Sequence, residues 1–183
     1  MSEQLRVGII MGSDSDLGVM QHTGAALAEL GLAYNVDYEE RVISAHRTPD
    51  AMTEYAATAA TRGLQVIVAG AGGSAHLPGM VASETSLPVL GVAITSSPDT
   101  LNRALGSMIG MPKGKPLATF QGEAGAFNAG LFTARILAAT DPSVREAYAR
   151  YEQALADEVR GKDKRLKELG AAAYLEAKRI ASS

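Results

Sequence analysis

Cysteine is absent from this 183-residue chain, which excludes disulfides, thiolate metal sites and cysteine nucleophiles together. Tryptophan is absent as well, and only three Phe occur, too few for a platform on which single-stranded nucleic acid stacks. Cationic excess is lacking: 17 Lys and Arg against 20 Asp and Glu leave a formal charge of −3, the wrong sign for a phosphate-backbone footprint. With three His, no Cys and no carboxylate cluster beside them, no metal site is expected. No apolar run approaches membrane length, and Met1-Ser2-Glu3-Gln4 has neither the charged nor the apolar region of a secretory leader. What is there is a globular balance, 46% hydrophobic and 20% charged, at single-domain size. The expectation is a cytoplasmic protein that handles a small molecule, with no nucleic-acid or membrane partner.

Short apolar runs alternate with helical stretches. Strands are expected over residues 5–11, 34–43, 65–69, 88–94 and 116–120, the third almost wholly apolar, as in a strand covered on both faces. Helices are expected over residues 16–30, stopped by Gly31, then from Thr48-Pro49-Asp50 with Thr as cap, and over residues 124–139. Strands linked by helical crossovers make a parallel, doubly wound α/β sheet. From Asp141 the composition turns to Ala, Glu, Lys and Arg, with Val144, Tyr148, Tyr151, Leu155 and Val159 at helical spacing. Gly161 is expected to divide this tail from a last helix near residues 162–180. The tail either docks on its own subunit or reaches a neighbour. The expected organisation is an α/β catalytic domain over residues 1–140 and a helical extension of it over 141–183.

In an open parallel sheet, ligands sit outside the carboxyl ends of the strands, and this chain places its Gly, Ser, His and Arg residues there. Gly12-Ser13-Asp14-Ser15-Asp16 offers hydroxyls and free N–H groups suited to a phosphate, with Asp16 an acceptor for ribose hydroxyls; plain helix capping explains it equally. Ser44-Ala45-His46-Arg47-Thr48-Pro49 joins a planar phosphate fork to a side chain that exchanges protons near neutrality. Its bland alternative is a capped surface loop. Ala69-Gly70-Ala71-Gly72-Gly73-Ser74-Ala75-His76-Leu77-Pro78-Gly79-Met80 lets backbone approach a ligand closely, and a merely flexible connection fits four glycines beside a His less well. Ser107–Pro116 holds Lys113 and Lys115, and reads as a cover for a site or as a solvated loop. His22 falls on the first helix and reads as a packing or surface residue.

Taken together, the first three motifs resemble the signature of the PurE family, the 5-(carboxyamino)imidazole ribonucleotide mutases of purine biosynthesis. The resemblance runs from about Val7 to Ala139. It implies a flavodoxin-like three-layer α/β/α sandwich with a five-stranded parallel sheet, assembled as a homo-octamer with sites at subunit interfaces. It implies carboxyl transfer on a small ribonucleotide with no metal or organic cofactor. His46 would be the proton-transfer residue, and Ser13, Asp16 and Arg47 would hold the phosphoribosyl part with Ser44 nearby. Gly72, Gly73, Ser74 and His76 would line the pocket for the migrating carboxyl group. Arg after the His resembles the mutase branch rather than the branch that fixes free carbon dioxide, where Lys is usual. After Ile94 the chain departs from the family pattern, at Leu101-Asn102-Arg103-Ala104-Leu105, Gly110-Met111-Pro112 and Phe120-Gln121-Gly122-Glu123. A carboxylase or decarboxylase of another heterocyclic nucleotide, and a non-catalytic nucleotide-monophosphate binder, remain as alternatives.

Overall fold

The computed structural model describes residues 5–35, 37–95 and 97–181; Met1–Gln4 of the leader argument lie outside the described residues. Five strands form one parallel sheet: β1 (Val7–Met11), β2 (Tyr38–Val42), β3 (Val66–Gly72), β4 (Val89–Ile94) and β5 (Ala118–Gln121), in the order β2-β1-β3-β4-β5. That order is the flavodoxin-like one, and the chain reverses direction across the sheet between β1 and β3.

Alternation along each strand feeds two cores. Ile10, Ile67, Ala69, Val89 and Ala93 face α2 (Pro49–Thr58), α3 (His76–Glu84) and α4 (Pro98–Ile109). Val7, Ile9, Val66, Val68, Leu90 and Val92 face α1 (Leu17–Glu29), α5 (Gly122–Leu137) and the start of α6 (Pro142–Ala181). Helices on both faces explain why β1, β3 and β4 read as unbroken apolar runs while β2, an edge strand, carries Glu39, Glu40 and Arg41. Gly130 lets α5 approach α1, since a Cβ there would stand 2.6 Å from the Thr23 carbonyl oxygen. Among the described residues no helix is long and apolar enough to cross a membrane.

Three sequence expectations need correction. The second strand begins at Tyr38 rather than 34: Asn35 adopts φ 57°, and the Asp37 carboxylate accepts from the Ala33 N–H at 2.9 Å, closing a turn. The third strand runs on through its glycines to Gly72, because the ladder to β4 pairs Gly70 with Val92 and Gly72 with Ile94. In the tail, α6 passes through Gly161 and breaks at Gly170, with φ 72° and ψ 164°.

Candidate active site

Because β1, β2 and β3 run parallel and in register, the segments after them emerge at one end of the sheet, with Met11 level with both Val42 and Gly70. They surround a cleft of about 360 Å³ lined by Gly12, Ser13 and Asp16 from the first segment, Ser44, Ala45, His46 and Arg47 from the second, and Ala71, Gly72, Ala75, His76 and Leu77 from the third. A volume of roughly 300–1,000 Å³ suits a small-molecule site.

The first segment is a short 3-10 turn, Asp14–Asp16, with Ser13 as its cap. The Asp16 carboxylate accepts from the Ser13 N–H at 3.1 Å, and the Ser13 hydroxyl accepts from the Ser15 N–H at 3.4 Å. Capping and lining are therefore done by the same two side chains. Burial is the main influence on Asp16 and pushes its carboxyl above the usual range, against the opposing pull of the Ser13 N–H and the Arg47 charge.

In the second segment, Arg47 is held in place before any ligand arrives. Its guanidinium donates to the Gly12 carbonyl at 2.8 Å and to the Ser44 hydroxyl at 3.2 Å, and its own N–H reaches the same hydroxyl at 3.3 Å. Thr48, expected as a helix cap, makes no capping bond. Its hydroxyl instead donates to the Ser44 carbonyl and accepts from the Ser44 N–H, both at 3.1 Å, folding the His46-Arg47 turn back on itself.

The third segment turns sharply. Gly73 has φ 62° and Ala75 has φ 41°, the latter a left-handed conformation that costs a side-chain-bearing residue about 1–3 kcal/mol. The turn delivers His76 to the first position of α3 and sets its Nδ1 2.9 Å from Nε2 of His46, the rings edge to face. One nitrogen must donate and the other accept, so the protonation of each ring constrains that of the other.

Of the residues expected from the sequence, Ser13, Asp16, Ser44, His46, Arg47, Gly72 and His76 line the cleft together. Gly73 and Ser74 sit exposed in the turn between Gly72 and Ala75 and are not among the lining residues. Gly12, Ala45, Ala71, Ala75 and Leu77 line it without having been singled out. For Gly12 a signal existed, since a glycine at a strand's carboxyl end leaves its carbonyl accessible.

The fourth motif is split. Ser107, in the last turn of α4, joins Met111, Pro112, His76, Gly79, Met80 and Ser83 around an adjoining hollow of about 380 Å³, while Gly110 and Lys113 to Pro116 lie outside it. Lys115 does not face the cleft but donates to the Ser83 carbonyl at 2.8 Å. Neither Leu101–Leu105 nor Phe120–Glu123 contributes to the described lining of the cleft. Among the described residues, no group of three or more His, Asp or Glu side chains is arranged to hold a metal ion.

Comparison with known proteins bears on this cleft. The AIR carboxylase family model matches residues 6–158. The N5-carboxyaminoimidazole ribonucleotide mutase of Mycobacterium tuberculosis is 51% identical over 168 residues, covering 91% of this chain and 93% of that protein. The mutase of the same name from Thermotoga maritima is 49% identical over 94% of this chain and 98% of its own length. That of Bacillus subtilis is 56% identical over 74% of this chain and 82% of its length. Among solved structures, Treponema denticola PurE superposes with a TM-score of 0.77 at 26% identity, over 90% of this chain and 99% of that one.

Proposed function

Because the chain belongs to the AIR carboxylase family, we propose that it is an N5-carboxyaminoimidazole ribonucleotide mutase, an isomerase of purine biosynthesis. The observation that carries the reading is the meeting of all three motifs around one cleft, with His46 and the braced Arg47 side by side. The carboxylate moves from the exocyclic nitrogen of the aminoimidazole to a ring carbon.

Each part of the cleft has a task in that transfer. Arg47, Ser13 and the N–H groups of the turn beside it hold the phosphate, and Asp16 accepts from ribose hydroxyls. Ser44 braces Arg47 through its hydroxyl. His46 gives a proton to the carbamate nitrogen; the C–N bond breaks and carbon dioxide leaves. The ring carbon, an enamine-type nucleophile, then attacks the carbon dioxide, and His46 takes the ring proton that the new C–C bond displaces. His46 ends as it began, so the transfer consumes no cofactor. Gly72 and His76 form the wall against which the carbon dioxide is retained, with the Gly73-Ser74 turn carrying the chain between them, and retention makes recapture effectively unimolecular. His76, bonded to His46, sets which nitrogen of His46 holds the proton. The working form is a cytoplasmic homo-octamer acting on this small ribonucleotide.

An isotope experiment tests the reading. Purified protein is given substrate labelled with ¹³C in its carbamate, with unlabelled bicarbonate in solution. Retention of the label at the ring carbon is the expected result. Unlabelled product identifies a carboxylase using free carbon dioxide, and binding without product identifies a non-catalytic nucleotide binder.

A further inference from the structure

Two helices of this chain open on the same pattern of a hydroxyl residue, proline and aspartate: Thr48-Pro49-Asp50 begins α2 and Ser97-Pro98-Asp99 begins α4. Proline at the first helical position and an acidic side chain in the first turn suit a helix start, and the hydroxyl before them can satisfy a free N–H of that turn. In α4 it does. Ser97 has extended backbone, φ −154° and ψ 156°, and its hydroxyl accepts from the Thr100 N–H at 3.4 Å. In α2 it does not. Thr48 has φ −136° and ψ 59°, and α2 starts without a side-chain cap.

What the Thr48 hydroxyl holds instead is the turn that carries the site. It engages both the carbonyl and the N–H of Ser44, and the Thr48 N–H reaches the same carbonyl at 2.9 Å. That last bond is one any residue but proline could make; the two hydroxyl bonds are what threonine adds. Enclosed between Ser44 and Thr48 are Ala45, His46 and Arg47. Ala45 is buried in the core that α2 shares with the sheet, which anchors the turn at one point only. The flanking side chains depend on how the turn is closed: the Ser44 hydroxyl braces Arg47, Arg47 meets the Gly12 carbonyl, and His46 meets His76. Thr48 itself is exposed and is not among the residues lining the cleft.

We infer that Thr48 is a positioning residue, its hydroxyl withdrawn from capping α2 in order to fix the Ser44–Thr48 turn and so aim His46 and Arg47 at one substrate together. The reaction it serves is the mutase reading above; the positioning itself rests on the geometry of the turn. Because both side chains ride on the same turn, loosening it must disturb proton transfer and phosphate binding at once, whereas loss of either side chain alone disturbs chiefly one of them. Misplacement by about 1 Å costs roughly 10²-fold in rate, so a turn that loosens by a fraction of that is already visible in turnover.

The test removes the hydroxyl and keeps the shape. Thr48→Val is expected to lower kcat by about tenfold and to raise KM as well, with N5-carboxyaminoimidazole ribonucleotide as substrate. Thr48→Ser returns the hydroxyl and should recover most of the loss. Thermal melting should change little in either variant, since no helix cap is removed and water can reach the exposed site. A second readout needs no substrate. The chain has three His, so a ring-nitrogen NMR spectrum contains three imidazoles, and Thr48→Val should shift the signals of His46 and His76 together while leaving His22 unmoved. Unmoved His46 and His76 signals, or wild-type kcat and KM in Thr48→Val, overturn the inference. So does a loss that Thr48→Ser fails to recover, or one that tracks a fall in melting temperature. A wild type that leaves the ribotide unchanged, with the His46 and His76 signals still answering to Thr48, overturns the mutase reading and upholds the positioning.

Discussion

His46 and Arg47 are neighbours in sequence with separable duties, and variants should separate them. His46→Asn removes the proton carrier while preserving much of the side-chain volume, so turnover should fall by about 10²–10⁴-fold with substrate affinity little changed, as read from single-turnover rates and equilibrium binding. Arg47→Ala removes the phosphate fork; loss of a charge-assisted contact of about 1.5–3 kcal/mol weakens binding by roughly 10- to 100-fold. Asp16 carries a penalty visible in stability. Its carboxyl is raised chiefly by burial, so between the ordinary carboxylate range and the raised value the folded chain binds more protons than the unfolded chain. Stability therefore falls as pH rises through that window. Asp16→Asn keeps an acceptor for the Ser13 N–H without the charge, and should melt higher than wild type at pH 7, with the advantage vanishing in acid, while binding the ribotide less well. Thermal melts across pH check the sign.

Strands β1, β3 and β4 were legible in the sequence because burial on both faces writes strands as apolar runs, although the glycines hid the last residues of β3. The start of β2 was not, since Asn35 and Asp37 form a turn inside an otherwise strand-like run. Nor could the sequence say which tail glycine breaks the helix. A glycine in a helix costs only about 1 kcal/mol, and at Gly161 the Glu158–Lys162 ion pair spans the position, whereas Gly170 takes a φ of 72° that other residues resist. Two element contacts are testable. Gly130→Ala forces α5 away from α1 and should cost about 1–3 kcal/mol, lowering Tm by several degrees. Asp141, at the start of α6, accepts from Arg6 of the first strand's approach at 2.6 Å and from the Ser143 hydroxyl at 2.7 Å. The Ser143 contact first, then Arg6, holds its carboxyl down at about 2. Its contribution is full above the ordinary carboxylate value and lost as pH falls toward 2. The stability deficit of Asp141→Asn, from urea midpoints at several pH values, should shrink over that descent.

Across the whole molecule, the location of the cleft followed from sequence once the chain was read as a parallel sheet, because such sheets gather their functional residues at one end. The couplings within it did not follow. Arg47 meets the Gly12 carbonyl and His46 meets His76 across 35 and 30 residues of chain, distances closed only by strand register and by the left-handed turn at Ala75. The central claim is that this assembled cleft moves a carboxylate within one ribonucleotide by means of His46. Its most direct test is a spectroscopic assay of purified protein with N5-carboxyaminoimidazole ribonucleotide, free of ATP, metal and added bicarbonate, with His46→Asn alongside and spontaneous decarboxylation subtracted. The account expects ring-carboxylated product from the wild type and its loss in the variant. Spontaneous decarboxylation alone in the folded wild type, or equal turnover by the variant, would contradict it.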